Sequence, residues 1–298
     1  MRESEERLRV ALWAAELLCW EWDVAAAEVR VVGSLGTVAG GAGAAPRPLV
    51  PAQLTDLHPD DRAAVTRAER WTRDEGADYD VEFRVPAPDG AERWLHQRGR
   101  VVAVDADGRA IRVAGVVQDV TERRRLVAEL AHRATHDPLT DLPNRGLFLE
   151  RLAGALDRAP RTRGVAVLLL DLDGFKGVND RFGHETGDRL LVAVGERLRA
   201  GLRAEATVAR LGGDEFALLL EDIEGAEAVG VARRAGLLLG RPFGLGHEEV
   251  RIGASLGLAV DGTGATEPRD LLRAADAALY RAKATRGGYV VAGSDRSA

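Results

Sequence analysis

Apolar and polar residues fall into blocks along this chain, and each block predicts an element. Leu8, Leu12 and Ala15 stand at helical spacing among charges, which predicts a helix over about residues 3–18. Trp20 and Trp22 alternate with Glu21 and Asp23, as in a strand. The Gly/Ala/Pro-rich stretch 33–48 reads as a loop. His58-Pro59-Asp60-Asp61-Arg62 opens a polar helix that runs to about Asp74. Period-two alternation then marks strands at 79–85, 92–104 and 110–119. Turns at Pro88-Asp89-Gly90 and Asp105-Ala106-Asp107-Gly108 separate them. Asp119 with Glu122 three residues on starts a helix to about Thr135. Its face of Val127, Leu130 and Ala134 suits either a second copy of itself or its own domain.

The pattern changes after His136. Two prolines and several cap-type residues over 136–145 predict a boundary turn before a helix over 146–158. Residues 165–170 are a continuous apolar run of strand length, the pattern of a strand buried on both faces. Helices are predicted over 187–202, 225–239 and 268–286, with a hairpin around Gly212 and strands at 251–260 and 289–291. Strands and helices alternate here, so helices should cover a mixed central sheet. The chain thus reads as α+β with two domains.

Composition narrows the class. With 298 residues and 46% apolar residues the chain can bury two cores. A net charge of −6 and 30% charged residues suit a mildly acidic protein and give no basic stripe for nucleic acid. No apolar run reaches the roughly 20 residues that span a bilayer. The start, Met1-Arg2-Glu3-Ser4-Glu5-Glu6, is too polar for a secretory signal. The single Cys19 excludes an intramolecular disulfide and reads as a small core residue. The expectation is a cytoplasmic protein with no nucleic-acid or membrane partner.

The candidate chemistry lies in two segments. The apolar run 165–170 ends in Asp171-Leu172-Asp173, and an acid there is costly unless paired or bound to a cation. Asp171 and the Leu172 carbonyl are hard-oxygen donors suited to a divalent ion. Lys176 is a point charge suited to phosphate. Asn179 and Asp188 can together pair with one face of guanine; singly they read as a turn residue and a helix cap. The second segment, Arg210-Leu211-Gly212-Gly213-Asp214-Glu215-Phe216, is a Gly-Gly turn followed at once by two acids. Bare glycine backbone admits a phosphate, and the adjacent acids then call for Mg²⁺ or Mn²⁺ between them.

The first part, about residues 5–122, resembles a PAS sensor domain. The resemblance rests on Trp20-Glu21-Trp22-Asp23, on His58-Pro59-Asp60-Asp61-Arg62, and on Gly115-Val116-Val117-Gln118-Asp119-Val120-Thr121-Glu122-Arg123. It implies an antiparallel sheet with helices and an unknown ligand. Cys19 lies outside the context of the light-sensing flavin cysteine. His58 and His96 are haem candidates that read better as structural or surface residues.

The second part, about residues 132–291, resembles the GGDEF family of diguanylate cyclases. The order of Asp171, Lys176, Asn179, Asp188 and the Gly-Gly-Asp-Glu-Phe turn carries this, with His136-Asp137-Pro138-Leu139-Thr140, Pro143-Asn144-Arg145 and Ala278-Leu279-Tyr280-Arg281-Ala282-Lys283. The resemblance implies a nucleotidyl-cyclase-like fold that joins two GTP into cyclic di-GMP and releases pyrophosphate. It implies two metal ions per site on Asp171, the Leu172 carbonyl and Asp214. Gly212 and Gly213 would lie on the phosphates, with Lys176, Lys283 and Arg286 neutralising them. Asn179 and Asp188 would read guanine with His184 nearby, and Asp214 or Glu215 would help take the proton. It also implies a homodimer through the connecting helix and the PAS domain.

The expected division is a PAS domain over 1–122 with its N-terminal helix, a connecting helix over 120–136 and a cyclase domain over 137–298. Two departures stand out. The inhibitory Arg-x-x-Asp pattern reads Arg203-Ala204-Glu205-Ala206, which predicts weak feedback by product. Arg286-Gly287 reverses the usual order. The competing expectation is an inactive module that binds GTP or cyclic di-GMP.

Overall fold

The computed structural model describes residues 6–7, 10–12, 14–15, 17–26, 28–32, 57–87, 90–158, 164–202, 206–261, 267–284 and 288–293. The predicted loop at 33–48, the turn residues Pro88 and Asp89, Arg203–Glu205 and Arg286 lie outside them. The described chain divides into two compact units, Met1–Glu129 and Leu130–Ala298.

The first unit is an antiparallel sheet of β1 (Leu17–Asp23), β2 (Glu28–Val32), β3 (Tyr79–Pro86), β4 (Glu92–Val104) and β5 (Ala110–Asp119). Its order is β2-β1-β5-β4-β3. The amphipathic helix α1 (Arg62–Glu75) buries Val65 and Thr72. The core gathers Trp20, Tyr79, Phe83, Leu95 and Val117. The predicted N-terminal helix ran too far: Leu17 and Leu18 are in β1, where Leu18 opposes Val117. Burial of Leu18 in the sheet outweighs its helical spacing. The short strand β2 was not legible. His58 caps the turn Pro59–Asp61 by accepting from the Asp60 N–H, and His96 bonds Asp80 at 2.8 Å.

Helix α2 (Thr121–Thr135) follows, and it buries none of its residues. The division between the units falls inside it.

The second unit is a five-stranded sheet ordered β12-β11-β6-β8-β7. Its strands are β6 (Gly164–Asp173), β7 (Thr207–Gly212), β8 (Glu215–Ile223), β11 (Gly253–Asp261) and β12 (Gly288–Val291). A separate ribbon pairs β9 (Phe243–Leu245) with β10 (Glu248–Val250). Among the described strands of this sheet only β11 and β12 are parallel, so the sheet is mixed as expected. Residues 164–170 of β6 are buried throughout. Helices α3 (Arg145–Asp157) and α7 (Pro268–Ala284) cover one face, packed on Val165, Val167 and Leu169. Helices α4 (Phe175–Phe182), α5 (His184–Gly201) and α6 (Gly225–Leu239) cover the other, packed on Ala166, Leu168, Leu170 and Leu172. Strand alternation therefore sorts the residues of β6 between two cores.

Helix α7 lies unusually close to β11. A Cβ added at Gly257 would stand 2.2 Å from both the Ala275 carbonyl and the Leu279 N–H nitrogen. Backbone packs on backbone there, so the helix position depends on that glycine.

The boundary turn is tied to the hairpin by Arg210. Its Nη1 donates to Asp137 at 2.8 Å, and its Nε and Nη2 donate to the Gly213 carbonyl at 3.0 and 2.8 Å. Asp137 also accepts from the Thr140 N–H and hydroxyl. Burial pushes the Asp137 carboxyl up, but the Arg210 guanidinium and these Thr140 bonds outweigh it and hold it below the usual range.

Gly257→Ala should destabilise the second unit by about 2 kcal/mol or more, read from denaturant unfolding. The contribution of Asp137 has a definite pH sign. A depressed folded pKa stabilises above the ordinary carboxylate value and is lost as pH falls through the folded value. Asp137→Asn should therefore lower stability at neutral pH and flatten the loss of stability below about pH 4. An unchanged acid limb in thermal melts of that variant would contradict this.

Candidate functional site

Gly212, Gly213 and Asp214 join β7 to β8 in a tight turn. Gly212 has φ 143° and Gly213 φ 52°, both positions that favour glycine. Asp214 sits in the turn itself, and Gly212 opposes Glu215. The Leu172 N–H donates to the Asp214 carbonyl at 3.3 Å, which fixes the turn against the end of β6.

Asp171 stands opposite Glu215 across the β6–β8 ladder. Both follow the alternation that points Leu169 and Ala217 toward α3 and α7. From α7, the Lys283 ammonium donates to Asp171 Oδ2 at 2.6 Å. The Asp171 side chain keeps only 15% of its exposure, whereas Lys283 keeps 43%. Burial pulls the Lys283 ammonium down. The hydrogen bond to Asp171 and the charges of Asp171, Glu215 and Asp214 together outweigh it and hold it above the usual lysine value. Of the three acids Asp171 alone bonds it; Glu215 stands across the ladder and Asp214 in the adjoining turn. Asp173 is committed elsewhere, accepting from the Ser255 hydroxyl at 2.7 Å.

The donor set fits a hard divalent ion. Asp171, Asp214 and the Leu172 carbonyl offer oxygen only, and Asp171 already recruits a cation. Among the described residues no three or more His, Cys, Asp or Glu side chains form a metal cluster. Two carboxylates and a carbonyl leave the other positions of such an ion for water or phosphate oxygens.

Gly174, at φ 82°, turns the chain from β6 into α4. This helix was not predicted. Asn179, expected as a turn residue or a base reader, lies inside it, half-buried. Helix α5 begins at His184, not at residue 187, so Asp188 is exposed on its second turn rather than at its cap. The Asn179 side chain abuts Gly187, where a Cβ would stand 1.8 Å from its Oδ1. That Oδ1 is buried without a hydrogen-bond partner among the described residues. Asn179 thus packs against Gly187, the neighbour of Asp188 in the chain.

Lys176 and His184 are exposed at the starts of α4 and α5. The structure brings together Asp171, Leu172, Asp214, Glu215 and Lys283, and separately Asn179 and Gly187. Sequence reasoning missed Arg210, Asp137 and Gly187. Their partners lie in other segments, and only the Gly-rich start of α5 hinted at close packing.

The sequence profile of the diguanylate cyclase GGDEF domain matches residues 134–288, and that of a PAS fold matches residues 54–117. MucR of Pseudomonas aeruginosa, a bifunctional diguanylate cyclase/cyclic di-GMP phosphodiesterase, is 49% identical over 172 residues, covering 57% of this chain and 25% of its own. The diguanylate cyclase TpbB of the same species is 44% identical over 159 residues, covering 52% of this chain and 37% of its own. The chain therefore spans well under half the length of these curated relatives. The solved coiled coil and GGDEF domain of DgcB from Caulobacter crescentus, in complex with c-di-GMP, is similar at a TM-score of 0.52 and 27% identity. It covers 58% of this chain and 92% of its own. Since the cyclase profile matches more than half of the residues, this protein belongs to the GGDEF diguanylate cyclase family and carries a PAS-fold unit ahead of that domain.

Proposed function

We propose that the protein is a diguanylate cyclase that condenses two GTP into cyclic di-GMP and releases pyrophosphate. One observation carries the reading: Asp171, at the end of the central strand β6, holds the Lys283 ammonium at 2.6 Å, with Glu215 opposite it across the ladder and the Asp214 turn bonded to Leu172. An uncharged ligand would not need that concentration of acid.

Asp171, Asp214 and the Leu172 carbonyl would hold Mg²⁺ or Mn²⁺, two ions per site. Bound there, the ions supply charge neutralisation for the triphosphate and for the leaving pyrophosphate. Gly212 and Gly213, lacking side chains, admit the phosphates to the turn. Lys176, Lys283 and Arg286 neutralise the β- and γ-phosphates. Asn179 and Asp188 read guanine, with His184 near the nucleotide, and the unpartnered Asn179 Oδ1 supports this. Adenine has no N1–H and would leave Asp188 unpaired, so guanine is favoured. Glu215 or Asp214 takes up the proton of the attacking 3′-hydroxyl. Most of the rate then comes from positioning and electrostatics.

Two half-sites must face each other for two attacks, so the working form is a homodimer. Leu126, Val127 and Leu130 are 47%, 61% and 66% exposed on α2, an apolar stripe suited to a second copy. The PAS unit, residues 1–122, sets the rate through the connecting helix 120–136, and the cyclase domain is 137–298. The protein works in the cytoplasm, where GTP is found.

Incubation with GTP and Mg²⁺ should yield cyclic di-GMP by mass spectrometry. Asp214→Ala or Asp171→Asn should cut turnover by about 100-fold or more. GTP binding without any product would instead support an inactive binding module. Gly187→Ala, which displaces Asn179, should weaken GTP binding by roughly ten-fold, about 1.4 kcal/mol. Removing the PAS unit should change turnover while leaving GTP affinity intact; equal rates per mole would rule out the coupling.

A further inference from the structure

A cavity of about 290 Å³ opens between α3 and α7, on the face of the second sheet away from α4 and α5. It shares Glu215 alone with the residues assigned above. Its floor is apolar: Phe148 is fully buried and Leu169 nearly so, with Leu272 and Leu279 along the α7 wall. Charges of both signs line it, and Arg145 and Asp276 are both exposed. Among the described residues, the side chains of Arg145, Asp276 and Glu215 make no hydrogen bond or ion pair, although all three border the same space. The other guanidinium, Arg273, is occupied by Asp270 at 3.0 Å.

An apolar pocket with a few placed polar groups is the usual form of a small-molecule site. The charges here decide the class. A guanidinium offers a carboxylate a two-pronged hydrogen bond. A carboxylate takes an ammonium. An anionic amphiphile would satisfy Arg145 and be repelled by Asp276 and Glu215. A cationic one would meet the reverse difficulty at Arg145.

We propose that this cavity binds a small zwitterion with an apolar side chain, the chemistry of a free hydrophobic amino acid. Its carboxylate meets Arg145, its ammonium meets Asp276, and its side chain lies on Leu272 and Leu279. Leu272, Asp276, Leu279 and Lys283 follow one another at helical spacing along one face of α7. An occupant therefore bears on the same helix face whose last member holds Asp171.

The test is isothermal titration calorimetry of the full chain with L-leucine and L-phenylalanine as probes. N-acetyl-L-leucine and L-leucinamide, each lacking one charge, are the comparison arms. At least one amino acid should bind with a dissociation constant of about 1 mM or lower. Each single-charge analogue should bind roughly ten-fold more weakly than leucine. Arg145→Ala should abolish the preference for leucine over leucinamide, and Asp276→Asn the preference over N-acetyl-leucine. Leu272→Trp, which fills the cavity, should remove binding while an unchanged unfolding midpoint reports an intact fold. Absence of heat with both amino acids, equal affinity for all four probes, or binding that survives in a folded Leu272→Trp protein would each overturn the proposal. The readout is binding alone, so it stands apart from whether the chain makes cyclic di-GMP.

Discussion

A carboxylate at the end of a strand buried on both faces must meet a cation or lose its charge. Asp171 is in that position, and the rest of the cyclase unit is arranged around its need. The cation comes from Lys283, 112 residues later in the chain. To deliver it, α7 must lie flat on the sheet, and Gly257 permits that approach by having no side chain. Further acid stands beside this ion pair. The antiparallel β6–β8 ladder brings Glu215 opposite Asp171 and holds the Asp214 turn against Leu172.

The turn itself needs bracing, because two glycines leave it few internal restraints. Arg210 braces it from within β7 by holding the Gly213 carbonyl with two N–H groups. The same guanidinium holds Asp137 in the boundary turn. The Asn144 side chain in that turn donates to the Ala134 carbonyl at the end of α2. Hydrogen bonds thus tie the end of α2 to the boundary turn, and the boundary turn to the hairpin.

The first sheet shows the other side of sequence reading. In β4 buried positions alternate at Leu95, Gln97 and Gly99, and a period-two pattern reports that directly, whereas β5 buries Ala110, Val113 and Val117 at wider spacing. Strand β2 alternates only over Glu28–Val31, too short a run to stand out beside the Gly/Ala/Pro-rich stretch that follows, and its pairing with β1 is what defines it. The helix α4 escaped notice for a related reason. Its eight residues are short, and two of them, Gly177 and Asn179, read as turn residues. Packing of Val178 into the core makes the segment helical.

The sequence by itself determined the two-part plan, the buried run 165–170, the Gly-Gly turn and the family to which the second part belongs. These are local properties, written in periodicity and in short motifs. Which acid meets which cation was decided only in three dimensions. So were the seating of Asn179 against Gly187, the bracing of the turn by Arg210 and the cavity behind the sheet. Each of these joins residues from different elements, and spacing along a chain carries no information about contacts that only strand pairing and helix packing create.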